Sequence, residues 1–125
     1  MTYDEEILKD DMADVNKYEF MVMRHLTEHG SKYKTYIMQD LIREFPDEIE
    51  HGEYLIPGKE YSDDIDEAVE SMLNDGKLQT VKGGLALSEY GKELYDMFRL
   101  HPEVDIDEDL ADFIEKIEDQ ADGMV

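Results

Sequence analysis

Met72-Leu-Asn-Asp-Gly-Lys-Leu78 and, shortly after it, Gly83-Gly-Leu-Ala-Leu-Ser-Glu-Tyr-Gly91 decide how the rest of the chain reads. Asn74-Asp-Gly76 is a helix stop, because glycine takes the left-handed backbone that follows a last helical turn without a steric penalty. Leu78 to Val81 and Leu85 to Leu87 are short apolar-rich runs on either side of the tight Lys82-Gly-Gly84 turn, the spacing of a two-stranded hairpin. Ser88 then stands where a new helix needs an N-cap acceptor. A helix end, a hairpin and a helix start therefore follow one another directly.

Upstream, Ser62 is the N-cap of the helix that ends at Asn74, and Ile65, Val69, Met72 and Leu73 form its inward side. Residues 46 to 60 read as an irregular insertion punctuated by Pro46, Gly52, Pro57 and Gly58, with Tyr54-Leu-Ile56 a candidate strand. Before it lies a helix with Ile37, Met38, Leu41, Ile42 and Phe45 apolar, stopped by Pro46. The first strong helix opens at Asn16, with Glu19 placed to complete a capping box, and ends at Gly30. Tyr18, Val22, Leu26 and His29 recur along one side of it, with Met21 and His25 beside them.

Downstream of Ser88, Leu94, Tyr95, Met97 and Phe98 are available to a core until His101-Pro102 ends the helix. Leu110, Phe113, Ile114 and Ile117 share one face of a last amphipathic helix whose other faces are almost entirely Asp and Glu. Ile7, Leu8, Met12 and Val15 make a weaker amphipathic segment at the other end. The expected division is an acidic, helix-compatible segment at 1–15, a main domain at 16–100, and an acidic linker with its helix at 101–125.

The order helix, helix, helix, two-stranded wing, helix resembles the winged helix-turn-helix family over about residues 17 to 100. Met72 to Leu78 is similar to the end of that family's third helix. Gly83 to Gly91, continuing into Lys92-Glu-Leu94, resembles the second wing strand and following helix of MarR-like and PadR-like regulators. The resemblance implies a mainly α fold with a small β-hairpin. It also implies a dimer that places its third helix in the major groove and its wing beside the DNA backbone, which would make residues 62 to 74 the reader.

That helix instead presents Asp63, Asp64, Asp66, Glu67 and Glu70, with no Lys or Arg before Lys77. Acids in a first helical turn favour the helix dipole by about 0.3–1 kcal/mol each, which accounts for one or two of them. Affinity for duplex DNA comes largely from neutralising phosphate with Lys and Arg, so this helix is a poor reader. If DNA is bound, the expected contacts are Lys32, Lys34 and Arg43 with Tyr33 and Tyr36 nearby, and Lys77, Lys82 and Lys92 around the wing. Ordinary exposed lysines on loops are the plainer reading of the same residues.

The acidity is general but uneven. Twelve Lys and Arg stand against 34 Asp and Glu, a net charge of −22. Residues 17–43 nevertheless hold five cations and three acids, whereas residues 101–125 hold ten acids and Lys116 alone. Such a surface fits a basic partner. A salt-rich habitat would produce acidity too, although nine Lys against three Arg lean weakly away from it.

The absence of cysteine excludes disulfide and thiolate chemistry. No apolar run is long enough for a membrane span, and a soluble cytoplasmic protein with no membrane partner is the expectation. His25-Leu-Thr-Glu-His29 matches a zinc-protease spacing, but a short chain offers no enclosing cleft, and His29 also suits a helix C-terminus. Asp105-Ile-Asp-Glu-Asp109 starts like a calcium loop and then fails, with Leu110 and Lys116 where Gly and Glu are needed. Gly83-Gly84 is a hairpin turn and not a phosphate loop. No cofactor, metal or catalytic group is expected.

Three functional readings stay open: a non-enzymatic winged-helix interaction protein acting through its acidic surface, a homodimeric DNA-binding transcription regulator, and a nucleic-acid mimic whose carboxylates stand in for phosphates. In the first two, Leu110, Phe113, Ile114 and Ile117 form the candidate dimer or partner helix. Packing on their own domain is the alternative.

Overall fold

Local capping chemistry sets where the helices begin. The computed structural model describes residues 3–53 and 60–123. Helix α1 (Glu5–Met12) starts where Asp4 accepts from the Glu6 N–H at 2.8 Å. Helix α2 (Lys17–His29) starts in the expected capping box: Asn16 Oδ1 accepts from the Glu19 N–H at 2.9 Å, and Glu19 Oε1 from the Asn16 N–H at 3.2 Å. Gly30, with φ of 77°, ends it. Helix α3 (Lys34–Glu44) follows without a side-chain cap.

The 46–60 insertion closes on itself. Strands β1 (Gly52–Glu53) and β2 (Glu60–Tyr61) pair antiparallel, Gly52 opposite Tyr61. Gln39 of α3 clamps β2, its Nε2 donating to the Glu60 carbonyl at 2.5 Å and its Oε1 accepting from the Glu60 N–H at 3.2 Å. Phe45 and Ile49 are buried. The candidate strand Tyr54–Ile56 lies outside the described residues.

Helix α4 (Asp63–Asn74) is capped by Ser62, whose Oγ accepts from the Ile65 N–H at 3.3 Å. Strands β3 (Leu78–Val81) and β4 (Gly84–Leu87) form the hairpin, with Leu78 opposite Leu87 and Val81 opposite Gly84. The turn is thus Lys82-Gly83, one residue tighter than the sequence suggested. Helix α5 (Glu89–Leu100) is capped by Ser88, which accepts from the Gly91 N–H at 3.0 Å and donates to the Gly76 carbonyl at 2.5 Å. Helix α6 (Glu108–Gly123) begins where Asp107 accepts from the Leu110 N–H at 3.2 Å. The described chain is mainly helical, with small antiparallel hairpins.

Helix α2 is the centre of the molecule, packed against α3, α4, α5, α6 and β4. Contact on several sides explains why its burial departs from the single stripe expected: Phe20 and Met23 are enclosed together with Met21, Val22 and Leu26, and His29 is exposed. The terminal segments fold onto this core. Helix α1 lies along α5 and contributes Leu8 and Met12, followed by Val15, although Ile7 points to solvent. Phe113 of α6 meets the rings of Phe20 and Phe45 edge-on, at centroid distances of 6.4 and 5.0 Å.

The hairpin is tied back to the connection between α2 and α3. Leu85 N–H donates to the Lys32 carbonyl at 2.7 Å, and Lys32 N–H donates to the Leu85 carbonyl at 3.0 Å. This approach is why residue 84 is glycine: a Cβ there would lie 2.3 Å from the Lys32 carbonyl carbon. Gly91 has the same role at the foot of α5, where a Cβ would stand 2.1 Å from the Lys77 carbonyl oxygen. Among the described residues no helix is long and apolar enough to cross a membrane.

Candidate protein-interaction surface

Burial of Ile65, Ala68, Val69 and Met72 against the core turns the acids of α4 outward. Asp63, Glu67 and Glu70 are exposed, and Asp64 and Asp66 are half-buried at the edge of the same face. Asp64 lies beside Tyr18, whose hydroxyl is pushed above its usual pKa chiefly by burial and next by that carboxylate. Asp66 is held below the usual carboxylate range by its hydrogen bond from Lys34.

Lys34 belongs to α3 but spans to α4, its Nζ 2.6 Å from Asp66 Oδ1 and 3.4 Å from Glu70 Oε1. The Asp66 hydrogen bond is the main reason its ammonium is held above the usual lysine range. On either side of it in sequence, Tyr33 and Tyr36 are 58% and 57% exposed, with ring centroids 6.5 Å apart. The Lys34 bridge therefore ties the start of α3, which carries this exposed aromatic pair, to the carboxylate-bearing helix α4.

The expected phosphate contacts do not form one surface. Lys77 is a correction: it is buried, 4% exposed, with its ammonium 3.4 Å from the equally buried Glu19 carboxylate and 3.5 Å from Asp75. Burial follows from the close packing of Gly91 on the Lys77 backbone and from the pairing with Glu19, a partner far away in sequence. Lys32 is half-buried against Asp40 and His25, and Lys34 is engaged as described. Arg43, Lys82 and Lys92 are exposed, on α3, the hairpin turn and α5.

The terminal-helix residues divide in two. Leu110 and Phe113 are enclosed in the molecule's own core and present nothing to a partner. Ile114 and Ile117 are half-buried and line a shallow groove of about 310 Å³ with Phe20, Tyr95 and Phe98. Arg24, Arg99, Asp96 and Glu118 border that groove, so its rim is mixed in sign.

The rings of the two histidines of the zinc-like spacing lie 4.5 Å apart between centroids and tilted by 44°, but His25 faces Lys32 and Asp40. Among the described residues no group of three His, Asp or Glu is arranged to hold a metal ion. Sequence reasoning missed the tie between the start of α3 and α4, because the signal is the nonlocal pairing of Lys34 with Asp66. Comparison of the chain with protein-family models, curated proteins and solved structures finds no match.

Proposed function

We propose that the chain is a non-enzymatic winged-helix interaction protein that binds a basic protein surface through α4 and the adjoining tyrosines. The order α2, α3, α4, hairpin, α5, with the hairpin tied to the α2–α3 connection, supports the winged-helix part of the reading. The observation that carries the functional part is the neutralisation of Lys34 by Asp66 and Glu70. It removes the nearest cation from any role with phosphate and leaves Asp63, Glu67 and two exposed aromatic rings facing solvent. Arginine suits such a surface, since its guanidinium pairs with carboxylates and stacks on aromatic faces.

The test is a titration of the full chain with an arginine-rich peptide and, separately, with a short DNA duplex. Neutralising α4 (Asp63→Asn, Glu67→Gln, Glu70→Gln) should weaken peptide binding about tenfold, roughly 1.4 kcal/mol. An equal neutralisation on α6 (Asp109→Asn, Asp112→Asn, Glu115→Gln) should weaken it far less. Equal losses from both sets would reduce the interaction to bulk charge and overturn the reading. Tight duplex binding abolished by Lys82→Glu and Lys92→Glu would favour the DNA-binding regulator instead.

A further inference from the structure

His25 stands at a junction of three elements. Its Nε2 lies 3.3 Å from Lys32 Nζ and 3.3 Å from Asp40 Oδ2, and the Lys32 ammonium also donates to that same Asp40 oxygen. The imidazole belongs to α2 and is only 6% exposed, and Asp40 belongs to α3. Lys32 lies on the connection that carries the hairpin through its backbone pairing with Leu85.

One ring nitrogen therefore faces a group that can only donate and a group that can only accept. A neutral imidazole satisfies this arrangement in either tautomer, as acceptor from Lys32 or donor to Asp40. A doubly protonated imidazolium can only donate. It then competes with Lys32 for one carboxylate oxygen while standing 3.3 Å from a like charge. Lys32 and Asp40 are each 30% exposed while His25 is enclosed, and of the two it is Lys32, the like charge, that an imidazolium repels.

We propose that His25, Lys32 and Asp40 form an acid-sensitive latch that holds the β3–β4 hairpin to the helical core, closed while His25 is neutral and loosened when it is doubly protonated. Burial and the neighbouring cations outweigh the acids that face His25. Burial chiefly, then Lys32 and His29, hold its pKa below the usual histidine range, against the opposing pull of Asp40 and Glu44 on α3. Asp40 keeps its charge through the relevant range, because Lys32 above all, with Arg43 contributing, holds its carboxyl low. Strand β4, Gly-Leu-Ala-Leu, adds no titratable side chain. The hairpin is vulnerable at this point because its tie to the α2–α3 connection is the isolated bridge between Lys32 and Leu85. This inference does not rest on the proposed binding of a basic partner.

The experiment is nuclear magnetic resonance on the full chain between pH 7.5 and pH 5, following the His25 ring nitrogens and the exchange protection of the Leu85 and Lys32 amides. After correction for intrinsic exchange, Leu85 protection should fall about tenfold. Its midpoint should coincide with the His25 titration. His25→Gln, whose amide can accept from Lys32 and donate to Asp40 without titrating, should abolish the fall, and His29→Gln should retain it. Constant protection in the parent chain, or a midpoint distinct from that of His25, overturns the latch. Both readings use the unaltered protein, so they stand even if the His25 variant fails to fold.

Discussion

The Lys77 ammonium and the Glu19 carboxylate meet at 3.4 Å inside the molecule, with side chains 6% and 5% exposed. Glu19 also closes the capping box of α2, so one carboxylate serves both a helix start and a buried ion pair. Removing one partner leaves the other charge buried without compensation, a loss of about 3–5 kcal/mol. Lys77→Met should therefore lower stability by about that amount in urea unfolding. The Lys77→Met, Glu19→Gln double variant should recover part of the loss, since no uncompensated charge then remains. A double variant as unstable as the sum of the single ones would mean that the two groups do not interact.

Gly84 and Gly91 are required by contact with backbone. Gly91→Ala and Gly84→Ala should each cost about 3 kcal/mol or more, because the added carbon meets backbone atoms that cannot turn aside. Gly52 has open space around its missing side chain, and Gly52→Ala should be nearly neutral by thermal unfolding.

Stability should fall in two steps on acidification. His25 has a folded pKa below its ordinary 6.5, so the unfolded chain takes up the proton more readily. Its contribution is complete above about pH 6.5 and is lost as pH falls through the folded value. Asp40, Glu48 and Asp66 are also held low, chiefly by hydrogen bonds from Lys32, Lys116 and Lys34. Their contributions are complete above the ordinary 3.8 and 4.5 and disappear only as pH falls through lower folded values. Urea midpoints measured against pH should show both steps. His25→Gln should remove the upper one alone, and Asp66→Asn should trim the lower one by less than about 1 kcal/mol.

Phe113 should be worth far more than its position near the chain end suggests. Phe113→Ala empties the space between Phe20 and Phe45 and should cost about 3–5 kcal/mol. Ile117→Ala, on the half-buried turn that follows, should cost appreciably less. A near-neutral Phe113→Ala would show α6 to be a loosely attached arm.

The capping residues were the most legible part of the chain, because their chemistry is local. Asn16 with Glu19, Ser62, Ser88 and the stop at Gly76 all act on neighbours within a few positions. The helical identity of α3 and the inward Ile37, Met38, Leu41 and Ile42 were legible for the same reason. Phe20 and Met23 were not, because periodicity finds one buried stripe and α2 is enclosed on several sides. Lys77 read as an exposed cation because its partner is 58 residues away and Gly91, which admits it, looks like any helix glycine. The candidate surface was half legible: the α4 carboxylates are a run in the sequence, but their link to the start of α3 runs through Lys34. No pattern of spacing encodes that bridge.

The central position of α2 bears on how the molecule comes apart. Helix α6 rests on α2 directly, and α1 rests on α5, which itself rests on α2. Detaching α6 uncovers α2 itself, and detaching α1 uncovers α5, the helix that covers α2. Unfolding should therefore be a single cooperative transition, with the slowest-exchanging amides in the middle of α2 and the same midpoint reported from Leu8 as from Leu110. On that expectation the acidic ends are structural members of one cooperative unit.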